Sequence, residues 1–202
     1  MLENLNHSLF LLINATPETP HSAIVLATLA AKYLVLLFPL VTAGYWLCGA
    51  PDNMPRQRRF VCKSAVTLLI GLTLSWIIGT LYPHARPFAE PFGYSFLEHA
   101  PTPSFPSNHG IIVFTFTLSC LFWGNLRTGL LLLIPALIVA WSRVFLGVHW
   151  PVDMLGALIT VLIACALTEL LWSRFGQPLQ NLLQSLYRRC FALPIRKGWV
   201  QR

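Results

Sequence analysis

Long apolar runs, each separated from the next by a short polar or basic segment, recur along this 202-residue chain. A helix needs about 20 mainly apolar residues to cross the ~30 Å hydrocarbon core of a bilayer. In lipid, only helices and closed barrels satisfy their own backbone polar groups. Runs at residues 23–47, 61–82, 128–146 and 151–172 have that length, and a fifth at 109–123 is short. An apolar segment before them, Leu5–Ala15, is too short to span and is expected to lie along the interface. The expected fold is therefore all-α: a polytopic bundle of about five transmembrane helices, with interfacial helices at both ends. The whole chain, 1–202, is expected to form one membrane domain, with an interfacial helix at 5–15, a bundle at 23–173 and a basic tail at 174–202. Composition agrees, since 55% of residues are hydrophobic and only 10% charged, which is not the make-up of a soluble domain.

The net charge of +7 sits mostly between or after the runs. Arg56, Arg58, Arg59 and Lys63 lie between the first and second, Arg127 between the third and fourth. Arg174, Arg188, Arg189, Arg196, Lys197 and Arg202 follow the last. Such placement reports topology and contact with membrane lipids, not nucleic acid. By the positive-inside rule these segments are cytoplasmic, which leaves 83–108, 147–150 and the N-terminus outside. Arg86 and Arg143 are then cations placed against the bias, as an anionic ligand would require. The five cysteines form no C-x-x-C pair, so neither a disulfide framework nor a metal site is expected. The opening MLENLNHS, acidic and without a basic residue, does not read as a cleavable signal peptide.

Three stretches on the expected outer side carry chemistry. In the third, Ser142-Arg143 is followed by His149 and then Asp153. A spacing of four puts His149 and Asp153 on one helix face. A carboxylate there can hold one imidazole N–H and leave the other nitrogen free to attack. Arg143 can grip a phosphoryl group through two oxygens. In the second stretch, Pro106-Ser107-Asn108-His109-Gly110, Ser107 is a natural N-cap. The N–H groups of Asn108, His109 and Gly110 suit an anion at a helix start, and His109 can protonate a leaving oxygen. In the first, His84-Ala85-Arg86-Pro87, Arg86 supplies a second cation. Each element alone has a plainer reading: a capping serine, an interfacial histidine, an arginine on headgroups. Their joint occurrence on one side is what points to phosphoryl transfer.

These stretches resemble the three signature motifs of the type 2 phosphatidate phosphatase superfamily of lipid phosphatases, K-x6-R-P, P-S-G-H and S-R-x5-H-x3-D. The third matches in full as Ser142, Arg143, His149 and Asp153. The second matches as Pro106, Ser107 and His109, with Asn108 in place of glycine. The first matches only as Arg86 and Pro87, with Gly79 where the pattern has lysine; Lys32 in the first run, or His84, is expected to replace that cation. The resemblance covers about residues 23–173, and the flanks resemble the small bacterial undecaprenyl-diphosphate phosphatases, closely along the whole chain for the enterobacterial member. It implies a prenyl diphosphate lipid as substrate, a phosphohistidine on His149 oriented by Asp153, and His109 as acid and base. Arg86, Arg143, Ser107, Asn108 and the backbone near Gly110 would bind the phosphate, with no cofactor and no metal. It also implies residence in the bacterial inner membrane with the site facing the periplasm, in recycling of the cell-envelope lipid carrier. The residues leave two alternatives with the same site: a lipid phosphotransferase, and a phosphatase for phosphatidylglycerol phosphate or phosphatidate. A non-enzymatic phosphate or lipid binder fits less well, since mere binding needs no nucleophile–orienter pair.

Overall fold

The computed structural model describes residues 2–48 and 53–200; residues 49–52 of the basic first loop and Arg202 of the tail lie outside the described residues. Among the described residues all regular structure is helical: α1 (Leu2–Ile13), α2 (His21–Tyr33), α3 (Leu37–Leu47), α4 (Met54–Leu81), α5 (Asn108–Trp123), α6 (Leu126–Phe145), α7 (Pro151–Cys190) and α8 (Ala192–Arg196). The run expected as one first span is α2 and α3 joined by a 3₁₀ turn, Leu34–Leu36. Pro39 explains the break, because it has no N–H to donate and its ring crowds the carbonyl four residues back.

Four stretches are long and apolar enough to cross a membrane: His21–Leu47, Met54–Leu81, Leu126–Phe145 and Pro151–Cys190. The fifth expected span, α5, has 16 residues, about 24 Å at 1.5 Å per residue. Its position explains how so short a helix is accommodated. It packs against α4, α6 and α7 together and buries Ile111, Val113, Phe114, Thr115, Phe116 and Cys120, so its neighbours, rather than lipid, meet most of its surface. The outer helices expose the complementary faces, with Leu69, Leu131, Leu137, Leu155 and Leu170 all more than half exposed.

The last helix departs most from the sequence reading. The expected span ended near Trp172, whereas α7 continues to Cys190, about 60 Å in all. The extension is anchored at the start of α4: the Arg58 guanidinium lies 4.8 Å from the Tyr187 ring and 5.3 Å from the Trp46 ring, and Gln180 donates to the Pro55 carbonyl. Glu169 meets a helix partner: its carboxylate pairs with the Lys63 ammonium, which also lies over Trp123 and Trp172. Beside it, the hydroxyls of Thr67 and Thr168 join α4 to α7 at 2.8 Å.

At the other end, α1 is more than an interfacial strip. Phe10 is fully buried against Trp150 and Phe92. Asn14, just past α1, donates to the carbonyls of Tyr94 (2.8 Å) and Phe145 (3.1 Å) and accepts from the Tyr94 N–H (2.8 Å). One side chain thus ties the long loop to the end of α6. Asn14→Ala orphans these groups and should lower stability by about 2–3 kcal/mol, read as a fall in the thermal midpoint of detergent-solubilised protein. The exposed control Asn4→Ala should leave the midpoint unchanged.

Candidate active site

The ends of α4 and α6 and the starts of α5 and α7 meet at one pole of the bundle, roofed by residues 82–107. Two hydrogen bonds set their approach. The Ser107 N–H donates to the Asp153 carbonyl at 3.2 Å, locking the start of α5 to the first turn of α7. The Val148 N–H donates to the Arg143 carbonyl at 3.1 Å, folding the α6–α7 turn back on itself. That turn needs Gly147, whose φ is +76° and whose hypothetical Cβ would lie 2.1 Å from the Tyr94 carbonyl oxygen. Gly110 is also required by close approach, but of helix to helix: a Cβ there would come within 2.7 Å of the Ala157 Cβ.

Asp153 is fully buried and every contact of its carboxylate is structural or chemical. Oδ2 accepts from His149 Nδ1 at 3.0 Å and from the Trp150 N–H at 2.9 Å. The second of these caps α7, where a carboxylate also complements the helix dipole. Oδ1 accepts from Ser104 Oγ at 3.3 Å and lies 3.6 Å from His84 Nδ1. A further N–H of that first turn, from Val152, is taken by Asn6 Oδ1 of α1 at 3.1 Å.

The tautomer of His149 follows from its neighbours. A carboxylate can only accept, so Nδ1 carries the hydrogen. A guanidinium can only donate, and Arg86 Nη1 lies 3.1 Å from Nε2, so Nε2 presents its lone pair. Ser107 Oγ is also near, at 3.3 Å, and accepts from the Gly110 N–H as the cap of α5. Burial above all, with the charges of Arg86 and Arg143, outweighs Asp153 and pulls the His149 ring down to about 4. At neutral pH it is uncharged, the state that nucleophilic attack by an imidazole requires.

The two arginines are used differently. Every N–H of Arg86 is engaged: Nε with the Thr102 carbonyl (2.8 Å), Nη1 with the Val148 carbonyl (2.8 Å) and His149, Nη2 with Thr102 Oγ1 and the Pro103 carbonyl (both 3.3 Å). Arg86 therefore builds the roof as well as charging the site. Arg143 is 2% exposed, yet its Nε and Nη2 have no partner among the described residues. These two groups form one edge of the guanidinium fork, the edge that grips a tetrahedral oxyanion through two oxygens.

The other expected residues are placed as follows. His109, in the first turn of α5, is half-buried and within electrostatic reach of Arg143, His149, His99 and Arg86. His84 joins the site, its Nδ1 2.9 Å from Ser104 Oγ. Asn108 turns aside, its Oδ1 accepting from Ser75 Oγ at 2.8 Å beside a groove that Gly79 also lines. The Gly110 N–H is already used by Ser107. Lys32 is exposed on α2 and is not part of the hydrogen-bonded cluster. Sequence reasoning did not find Ser104, Asn6, Asn14 or Thr102. None lies at a telling spacing from the motifs, and a serine and a threonine in a proline-rich loop look like any turn residues.

These features define a polytopic helical membrane protein with a buried, carboxylate-paired histidine and two buried arginines at one pole. The chain belongs to the PAP2 superfamily, whose pattern matches residues 24–175. It is 51% identical, over the full length of both proteins, to the putative undecaprenyl-diphosphatase YbjG of Escherichia coli K12. It is 30% identical to the undecaprenyl-diphosphatase BcrC of Bacillus subtilis, over 65% of this chain and 66% of that protein. Its fold is that of Aquifex aeolicus LpxE in its crystal structure, with a TM-score of 0.64 and 22% identity over 81% of this chain and 94% of that one.

Two measurements probe this electrostatic arrangement. Arg143→Met removes a buried charge with orphaned donors, so the thermal midpoint should stay equal or rise, by the equivalent of about 1–3 kcal/mol; a sharp drop would make Arg143 a structural residue. The carboxylate of Asp153, 3.6 Å from Nδ1, raises the His84 pKa above 6.5 against the effect of burial. A raised folded-state pKa gives stability that is complete below the unfolded pKa and lost as pH rises through the folded one. The stability gap between wild type and His84→Gln should therefore shrink as pH rises above about 6.5.

Proposed function

We propose that the protein is an undecaprenyl-diphosphate phosphatase, which releases the terminal phosphate of a prenyl diphosphate lipid through a phosphohistidine on His149. The observation that carries this reading is the pairing of a neutral, Asp153-oriented His149 with the orphaned Nε/Nη2 edge of Arg143. The full-length likeness to YbjG supports the substrate class.

The chemistry runs in two displacements. The terminal phosphoryl group enters between Arg143, Arg86 and Ser107, and its oxygens take over the donors that Arg86 and Ser107 hold near Nε2. The lone pair is thereby released as its target arrives. Nε2 attacks phosphorus in line, and the bond to the bridging oxygen breaks. That oxygen leaves on the lipid monophosphate with a proton from His109, which the ring takes up from solvent as the phosphate charge enters beside it. Positive charge growing on the His149 ring is balanced by Asp153, which keeps the Nδ1 proton without accepting it. His109, now neutral, takes a proton from water, the hydroxide oxygen bonds to phosphorus, and the N–P bond breaks. Free phosphate leaves and His149 is restored. The two arginines supply the charge stabilisation, and the prenyl chain stays in the bilayer beside the bundle. The basic ends of α4 and α7 face the cytoplasm and the His149 pole faces the periplasm of the inner membrane, where the product re-enters the lipid-carrier cycle.

Phosphate release from undecaprenyl diphosphate tests the reading, with a glycerolipid phosphate beside it. Wild type should release phosphate, favour the prenyl lipid and keep its activity in EDTA. His149→Ala should be inactive though folded, and Asp153→Asn should lose about 10²–10⁴-fold in turnover. Turnover by His149→Ala close to wild type would end the phosphohistidine mechanism. Label moving from the donor lipid to lipid A instead of water would make the protein a phosphotransferase.

A further inference from the structure

Two arginines face His149, but Arg86 gives all its donors except the one on His149 to backbone and side-chain oxygens of the roof and the α6–α7 turn, while a lipid diphosphate brings several negative charges. Where the family pattern has a lysine, Gly79 lies against the Phe105 carbonyl and Pro103, and Lys32 stands apart on α2. A further cation source is nonetheless within reach. The ring of His99, on the roofing loop, has its centroid 6.3 Å from that of His149 and stands edge-on to it at 74°. Its Nδ1 lies 2.9 Å from the Ala100 carbonyl. A carbonyl can only accept, so Nδ1 carries a hydrogen and Nε2 is the nitrogen left to gain or lose a proton.

We propose that His99 is a further phosphate-binding residue, which takes up a proton on Nε2 as the phosphoryl group enters and then donates it in a hydrogen bond to a non-reacting phosphate oxygen. This rests on the phosphoryl-site reading above, not on the identity of the lipid. The groups that face His99 are Arg86 on its own loop, Arg143 from α6, His149 from the α6–α7 turn and His109 from α5. Burial first, then the charges of Arg86 and Arg143, hold its pKa below 6.5 against the Ala100 carbonyl, which raises it. In the free site it is therefore neutral at pH 7. A phosphate between the arginines cancels their repulsion and offers Nε2–H an acceptor, and both effects favour the protonated ring. No bond other than N–H forms; the proton comes from solvent. A cation that appears only with the ligand avoids a third permanent charge among Arg86, Arg143 and the nucleophile.

Ring-nitrogen NMR on the full chain in detergent reads this directly, with His99 assigned by the resonance lost in His99→Gln and orthovanadate as the phosphoryl analogue. The His99 titration midpoint should lie below 6.5 without ligand and move upward in saturating vanadate. Vanadate affinity should fall about tenfold in His99→Gln, the scale of one charge-assisted hydrogen bond, and recover in His99→Lys. A purely structural role would give neither the shift nor the rescue. A midpoint unmoved by bound vanadate, or equal affinity in His99→Gln, overturns the role of His99 while leaving the phosphoryl site intact. Failure of wild type to bind vanadate at all overturns both. Vanadate binding with the expected His99 shift, but no phosphate release from any lipid, would remove only the proposed activity.

Discussion

The structure depends most on the carboxylate of Asp153. A fully buried carboxylate is costly to hold in an apolar bundle unless its oxygens are all occupied. Here they are, by His149, the Trp150 N–H and Ser104, with His84 behind. The same atoms that neutralise the cost start α7, fix the His149 tautomer and bind the roofing loop. Fold and chemistry thus share one set of hydrogen bonds, and neither can be altered there without the other.

Around that centre, cations are divided between construction and function. Arg86 spends its five N–H groups on carbonyls, a hydroxyl and His149, and so holds the loop at 102–103 over the site. Arg143 is held just as deeply but left with two donors unpaired. An unsatisfied buried donor lowers stability, and such groups gather where a ligand will complete them. The destabilisation is tolerated because α1 clamps the same pole from outside, through Phe10 packed on Trp150, Asn6 on α7 and Asn14 across α6 and the loop. The far end is held separately, by the Lys63–Glu169 pair and by Arg58 among its aromatic neighbours.

Much of this was legible in the sequence, and the reason lies in how far each signal reaches. Apolar run length is set by bilayer thickness, so the spans could be read without any knowledge of packing. Spacing along a helix fixes relative direction, so His149 and Asp153, Ser107 as a cap and the order of the three motifs could be read as well. Where the sequence reading fell short, the missing information was not local. Only the surrounding helices explain the short α5, and only Tyr187 and Gln180 meeting the start of α4 explain why α7 runs on past Trp172.

The sequence by itself thus determined the class of fold, the position of the apolar runs and the His149–Asp153 pairing, because length and periodicity are properties of neighbouring residues. The tertiary structure alone decided which donors are used and which are left over. It committed most of Arg86 to the roof, left the edge of Arg143 unpaired, turned Asn108 away toward Ser75, kept Lys32 at the periphery and set Ser104 against Asp153. These outcomes depend on distances between residues far apart in the chain, and a hydrogen bond is made or lost within a few tenths of an ångström.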